Sequence, residues 1–315
     1  MVLPGFIDLQ VNGFGGVDFS SPALTAEDFA FACRGLQQKG TAAFLATLIT
    51  SPREVYQRNL ALMAKAIAGF QLEKIVLGFH LEGPFISSAA GAVGAHNPAW
   101  VQRPDPALLD CLQEWADGRI RLITIAADVE GAEELCCHAV RSGIVVSLGH
   151  HLADAEQITR LADAGASALT HFGNGIPNLI HRHQNPLWPS LAEDRLMAML
   201  ITDGHHLPPA FIRTVVRAKG VERSIIVSDA SPLAGMPPGR YSALGNEVIL
   251  EESGLLHNPA KGCMVGSSAT IRQCVNYLAN LGDFTEPPLR AMALDNPLRL
   301  IGLTAAFYPA ETTVK

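Results

Sequence analysis

Charge is scarce in this chain of 315 residues: Asp, Glu, Lys and Arg make up 17%, and the formal net charge is −7. An acidic balance of that size argues against nucleic acid or anionic membrane as the main partner. No apolar run reaches the ~18 residues that a membrane span needs. The N-terminus, MVLPGFIDL, has neither the basic n-region nor the long apolar core of a signal peptide, so the expected location is the cytoplasm. The six cysteines (Cys33, Cys111, Cys136, Cys137, Cys263 and Cys274) include no C-x-x-C pair and form no dense framework, so they are expected to be free thiols. No Gly-x-Gly-x-x-Gly turn follows the first strand. The nearest approach, Gly13-Phe14-Gly15-Gly16, lacks that spacing, and a dinucleotide fold loses ground. Low-complexity tracts and clear linkers are also missing, which reads as one catalytic domain over residues 1–315.

Apolar residues make up 48% of the chain, enough for a large core. Strand-like runs are read at 5–11, 43–49, 75–81, 121–127, 144–148, 167–171, 197–202 and 224–228. Amphipathic helical stretches, such as 27–38, 52–68 and 132–141, lie between most of them. Eight strands alternating with helices predict an α/β fold of the (β/α)8 TIM-barrel type. Three connections, 83–104, 172–195 and 230–266, are long and rich in Gly, Pro and His. They follow strands three, six and eight, so they overhang the barrel's carboxyl face, where active sites form. A small hairpin is expected at 246–250 and 254–257, then a helix capped by Ser267 or Ser268, then one or two more helices over 287–300.

The stretch 144–175 carries the chemistry. A β-branched run ends at Gly149-His150-His151, Asp154 can cap the helix that follows, Gly165 stops it, and a second short run ends at His171. Two histidines 21 residues apart in sequence therefore sit just past adjacent strand ends. Glu82, in His80-Leu81-Glu82-Gly83-Pro84, ends the third strand in the same way. Two imidazoles, one carboxylate and an open position suit a catalytic zinc, with iron or another divalent ion as the alternative. Asp229 ends the eighth strand, placed to take a proton and pass it on. Asp203, before Gly204-His205-His206, reads as a turn former. His80 reads as a hydrogen-bonded residue of the barrel interior.

The segments Pro4-Gly5-Phe6-Ile7-Asp8, His80-Leu81-Glu82-Gly83-Pro84, His96-Asn97-Pro98, Gly149-His150, Thr170-His171, Asp203-Gly204-His205-His206 and Ser228-Asp229-Ala230 follow one another along the chain. In that order the chain resembles the N-acetylglucosamine-6-phosphate deacetylases of the amidohydrolase superfamily. The resemblance implies that Glu82, His150 and His171 are the metal ligands and Asp229 the catalytic acid/base. It implies that His96 and His206 contact substrate, and that Asn174 and Gly175 meet the sugar phosphate. Arg182 would reach the phosphate in a neighbouring subunit, making the active unit a homodimer. Gln10 and Asn12 stand where many amidohydrolases have His-x-His, and amides are poor zinc ligands beside carboxylate and imidazole. The pattern resembles a one-metal branch. The family's usual small β-sandwich, built from both chain ends, has no counterpart in the sequence. The implied reaction is hydrolysis of the N-acetyl group of N-acetylglucosamine 6-phosphate, with His96 helping to stabilise the oxyanion. Other readings are an amidohydrolase for another N-acyl substrate (N-acetylgalactosamine 6-phosphate, an N-acyl amino acid or a cyclic amide) or a non-catalytic sugar-binding barrel.

Overall fold

The computed structural model describes residues 2–304 and 311–313, so residues 1, 305–310 and 314–315 of the single domain expected over 1–315 lie outside it. Eight parallel strands form one sheet: β1 (Phe6–Val11), β2 (Thr41–Ile49), β3 (Val76–Glu82), β4 (Ile120–Ile125), β5 (Val145–Leu148), β6 (Ala168–Leu169), β7 (Met197–Ile201) and β8 (Ser224–Val227). Each pairs with the next in chain order. Val11 and Ala230 pair in parallel, and the Asn12 N–H donates to the Ala230 carbonyl at 2.7 Å, bringing β8 back to β1 at the carboxyl rim. This is the expected (β/α)8 barrel. Helices α1 (Ala26–Gln38), α2 (Arg53–Gly69), α3 (Pro106–Trp115), α4 (Ala132–Arg141), α5 (Ala155–Asp163), α6 (Leu187–Ala192), α7 (Pro209–Lys219) and α8 (Ile271–Asn280) follow the strands.

Two apolar layers result from strand alternation. Ile7, Leu9, Ala43, Leu45, Leu122, Met199, Ile201, Ile225 and Val227 fill the barrel, and Leu294, Leu298 and Ile301 close its floor. Asn296 ties that floor to β8, its Nδ2 donating to the carbonyls of Val221 (2.7 Å) and Ser224 (2.8 Å). Phe44, Phe79, Leu81, Ile123 and Leu148 face outward and pack beneath the helices. Asp154 caps α5, as expected, in a capping box with Gln157. All six cysteines are free, and Cys136 and Cys137 lie within α4.

The long loops hold more regular structure than the sequence suggests. Connection 172–195 contains α6, and 230–266 holds a four-stranded antiparallel sheet in place of one hairpin: β9 (Gly239–Ala243), β10 (Asn246–Leu250), β11 (Leu256–Asn258) and β12 (Cys263–Met264). Val248, Leu250, Leu256 and Val265 pack there with Ile49 at the end of β2, and Ala95 lies against them. Asn246 Nδ2 donates to the Ala95 carbonyl at 3.0 Å, fastening this sheet to the loop after β3. The helix α8 begins only at Ile271, so its cap is Thr270 and not Ser267 or Ser268, whose hydroxyls donate to Asp203 (2.7 Å) and to the Gly254 carbonyl (2.6 Å).

Candidate active site

Glu82, His150 and His171 meet at the barrel's carboxyl rim, all buried, with one ligand atom from each within 4.8 Å of the others. His150 Nε2 lies 3.1 Å from Glu82 Oε1, and His171 Nε2 lies 2.8 Å from that oxygen and 3.0 Å from His150 Nε2. His150 Nδ1 sits 2.7 Å from the Ala92 carbonyl, which can only accept, so this nitrogen carries the proton and Nε2 keeps its lone pair. One ligand atom from each of the three residues thus faces a common point, where a divalent cation would engage all three at once. The donor set of two imidazoles and one carboxylate suits zinc-type coordination. The buried Nδ1 of His171 has no partner among the described residues. Close backbone approach is built in: a Cβ on Gly175 (φ +64°) would lie 3.0 Å from His150 Nδ1.

Gln10 and Asn12 occupy the metal-facing end of β1. Gln10 Nε2 donates to Glu82 Oε1 and to Asp229 Oδ1, both at 3.0 Å, and Asn12 Nδ2 donates to the same Asp229 oxygen at 2.7 Å. The two carboxylates fix which way each amide faces, because only NH2 can serve them. Sequence reasoning saw in these positions only missing ligands. The signal it missed was the alternation Asp8, Gln10, Asn12, which puts three polar side chains on one face at the end of this strand. Burial first, then the charge of Glu82, pushes the Asp229 carboxyl up to about 8, and a cation beside it opposes both effects. Asp229 Oδ2 makes no hydrogen bond to any described residue and is the oxygen left for chemistry.

His96 lies with its Nε2 4.0 Å from Glu82 Oε2, and its ring meets His150 edge to face at 4.5 Å between centroids. The Thr50 N–H donates to its Nδ1 at 3.3 Å, so the neutral ring carries its proton on Nε2, facing the site. Burial, reinforced by His150, pushes the His96 imidazolium down to about 3. His206 Nδ1 pairs with Asp203 Oδ2 at 2.8 Å, and the other oxygen of Asp203 accepts the amides of His205 and His206, both at 2.9 Å. Asp203 is therefore the expected turn former and also aims His206. Asn174 Nδ2 donates to the His171 carbonyl at 3.0 Å. Arg182, between His181 and His183, stands exposed with no ion-pair partner among the described residues. His80 spans Leu9 O (3.1 Å) and Thr124 Oγ1 (2.8 Å) inside the barrel, as expected.

Among the described residues, His150 (φ 52°), His171 (φ 29°) and Asp229 (φ 51°) are three of the six non-glycine residues with positive φ. Such backbone costs on the order of 1–3 kcal/mol per residue and collects at functional sites. Here it turns each side chain inward just past its strand.

Residues 1–236 match the Amidohydrolase family model. The N-acetylglucosamine-6-phosphate deacetylase of Bos taurus is 34% identical over 316 residues, covering 96% of this chain and 75% of its own. The N-acetylgalactosamine-6-phosphate deacetylase of Escherichia coli O157:H7 is 30% identical over 303 residues, covering 96% of this chain and 78% of its own. The crystal structure of N-acetyl-D-glucosamine-6-phosphate deacetylase from Mycobacterium smegmatis superposes with a TM-score of 0.89 at 29% identity, over 99% of this chain and 82% of that one. A mutant of that enzyme in complex with N-acetyl-D-glucosamine-6-phosphate gives 0.87 at 28% identity, over 96% and 78%. The chain belongs to the amidohydrolase family, among its N-acetylglucosamine-6-phosphate deacetylase-like members.

Proposed function

We propose that this protein is a one-metal deacetylase that hydrolyses N-acetylglucosamine 6-phosphate to glucosamine 6-phosphate and acetate. The observation that carries this reading is the triangle of ligand atoms from Glu82, His150 and His171, with Asp229 held beside it by two amides. Glu82, His150 and His171 would hold a divalent cation, zinc on the chemistry of the donors, which would make water more acidic and polarise the amide carbonyl. Asp229 takes the proton of the attacking water at Oδ2. The neutral His96 donates its Nε2–H to the carbonyl oxygen as negative charge develops on it. Asp229 then hands its proton to the amide nitrogen, which leaves as an amine. Asn174, Gly175 and His206 hold the sugar phosphate, and Arg182 pairs with the phosphate of a second subunit in a homodimer. All of this takes place in the cytoplasm.

N-acetylgalactosamine 6-phosphate is a second reading, because similar relatives carry both names. Acetate release from both phosphorylated sugars and from unphosphorylated N-acetylglucosamine tests the proposal. Turnover of either phosphorylated sugar, at least about 10²-fold above the unphosphorylated one, supports a site built for the phosphate. Equal turnover with and without phosphate would remove Arg182 and His206 from the site. Release from none of the three would refute the function.

A further inference from the structure

The strand that grips the Asp229 side chain also grips its backbone. Asp8 and Ser228 are both fully buried. Asp8 Oδ1 accepts the Ser228 N–H at 3.1 Å, and Asp8 Oδ2 accepts the Ser228 hydroxyl at 2.5 Å. That hydroxyl oxygen in turn accepts the N–H of Ala230 at 3.0 Å. The amides on both sides of Asp229 therefore lead to one carboxylate, the first directly and the second through Ser228. Between them Asp229 sits at φ 51°, a conformation it would leave if its neighbours were free. Two further bonds complete the frame: the Ser267 N–H donates to the Asp229 carbonyl at 2.8 Å, and the Asn12 N–H to that of Ala230 at 2.7 Å.

We infer that Asp8 is a positioning residue for the hydrolytic reaction, acting through Ser228 to hold Asp229 in its left-handed conformation with Oδ2 directed at the substrate. The inference rests on the proton-transfer role proposed for Asp229. Folding alone gives little reason for the arrangement. Burial raises the Asp8 carboxyl to about 7 even against the two Ser228 donors and the Gln10 N–H at 3.4 Å, so its charge is a cost that an apolar pair would spare. The charge instead gives an acceptor strong enough to fix a hydroxyl and an amide together. From one strand, Asp8 holds the backbone of Asp229 while Gln10, two residues on, holds its carboxylate. The reacting oxygen is thereby fixed in both position and direction.

The test uses the metal-loaded protein and the phosphorylated sugar it cleaves, comparing Asp8→Ala, Asp8→Asn, Ser228→Ala and the double variant Asp8→Ala/Ser228→Ala. Bound metal, thermal midpoint and amide exchange at Ala230 accompany kcat and KM. Asp8→Ala and Ser228→Ala are each expected to lower kcat by about 10²-fold, the cost of a misplacement near 1 Å, with KM and bound metal unchanged. Exchange at Ala230 rises in both. The double variant falls no further than Asp8→Ala, because both break one chain of bonds. Asp8→Asn keeps an acceptor for the Ser228 N–H but turns a donor towards the Ser228 hydroxyl, so it recovers only part of the loss. A folded, metal-loaded Ser228→Ala enzyme with the wild-type kcat overturns the inference, and so does an additive double variant. Ser228→Ala removes only a hydroxyl, so it decides the matter even if Asp8→Ala does not fold. Asp229→Asn serves as control: wild-type turnover there overturns the role of Asp229 itself, a failure distinct from that of the clamp.

Discussion

Replacing Asp229 by Asn separates proton transfer from every other part of the site. The amide oxygen of Asn can accept the same two bonds from Gln10 Nε2 (3.0 Å) and Asn12 Nδ2 (2.7 Å) that Asp229 Oδ1 accepts now. Its NH2 then stands where Oδ2 stood. Shape and anchoring survive, Glu82, His150 and His171 are untouched, and bound metal should remain at about one equivalent per chain. Only the ability to take a proton and return it is lost. General acid–base catalysis contributes about 10²–10⁴-fold, and here one carboxylate serves both the attack and the departure of the amine. We therefore expect kcat to fall about 10³-fold or more, near 4 kcal/mol of transition-state stabilisation. KM should change little. The assay is acetate release under single-turnover and steady-state conditions, with metal measured on the same preparation. A metal-loaded Asn variant that retains most of its turnover would refute the assignment. A variant that loses its metal along with its activity would show that Asp229 holds the ion and does not carry the proton.

Chelation should abolish turnover and lower the thermal midpoint together, because a ligand bound only by the folded site stabilises the fold and its removal withdraws that contribution. An unchanged melting curve after metal removal would contradict the convergent geometry. Gly175→Ala places a methyl group 3.0 Å from His150 Nδ1 at φ +64°, and should weaken metal binding about tenfold by disturbing the His150 hydrogen bond to Ala92, as measured by competition with a chelator. The buried Lys219 donates to the carbonyls of Ser190 (2.7 Å) and Glu193 (2.6 Å), so Lys219→Met should cost about 2 kcal/mol in a urea melt by leaving both unpaired. An unchanged midpoint would mean that water replaces the ammonium. Asp8 is raised from 3.8 to about 7 in the fold, so its contribution to stability is full below pH 3.8 and is lost as the pH rises through 7. The melting temperature of Asp8→Asn relative to wild type should therefore climb between pH 5 and pH 8. Parallel curves would refute the shift.

The barrel was legible because its strands are short apolar runs broken by Gly, Asp or His, and its site because each ligand ends such a run. Glu82, His150, His171 and Asp229 all lie at or just past the end of a strand that the sequence marks. What escaped depends on neighbours distant in sequence. The helix Leu187–Ala192 carries Pro189 inside it and Pro186 before it, so no helical period shows. The strand Gly239–Ala243 alternates only half-buried and exposed residues before its last position, and pairing with Asn246–Leu250 makes it a strand. Ser267 is a fair cap by residue type, yet its hydroxyl is directed to Asp203, 64 positions away, and the helix begins three residues later with Thr270 as its cap. Gln10 and Asn12 have no recognisable role until both carboxylates they serve are brought to β1.

The floor formed by Leu294, Leu298 and Ile301 turns the barrel into a cul-de-sac. Whatever is hydrolysed above it enters and departs by a single mouth, bordered by the loop that carries His96 and by the small sheet fastened to it at Ala95. The two reaction products must leave through the same opening by which fresh substrate arrives. A product that lingers there occupies the opening the next substrate needs, so release and binding compete for one passage.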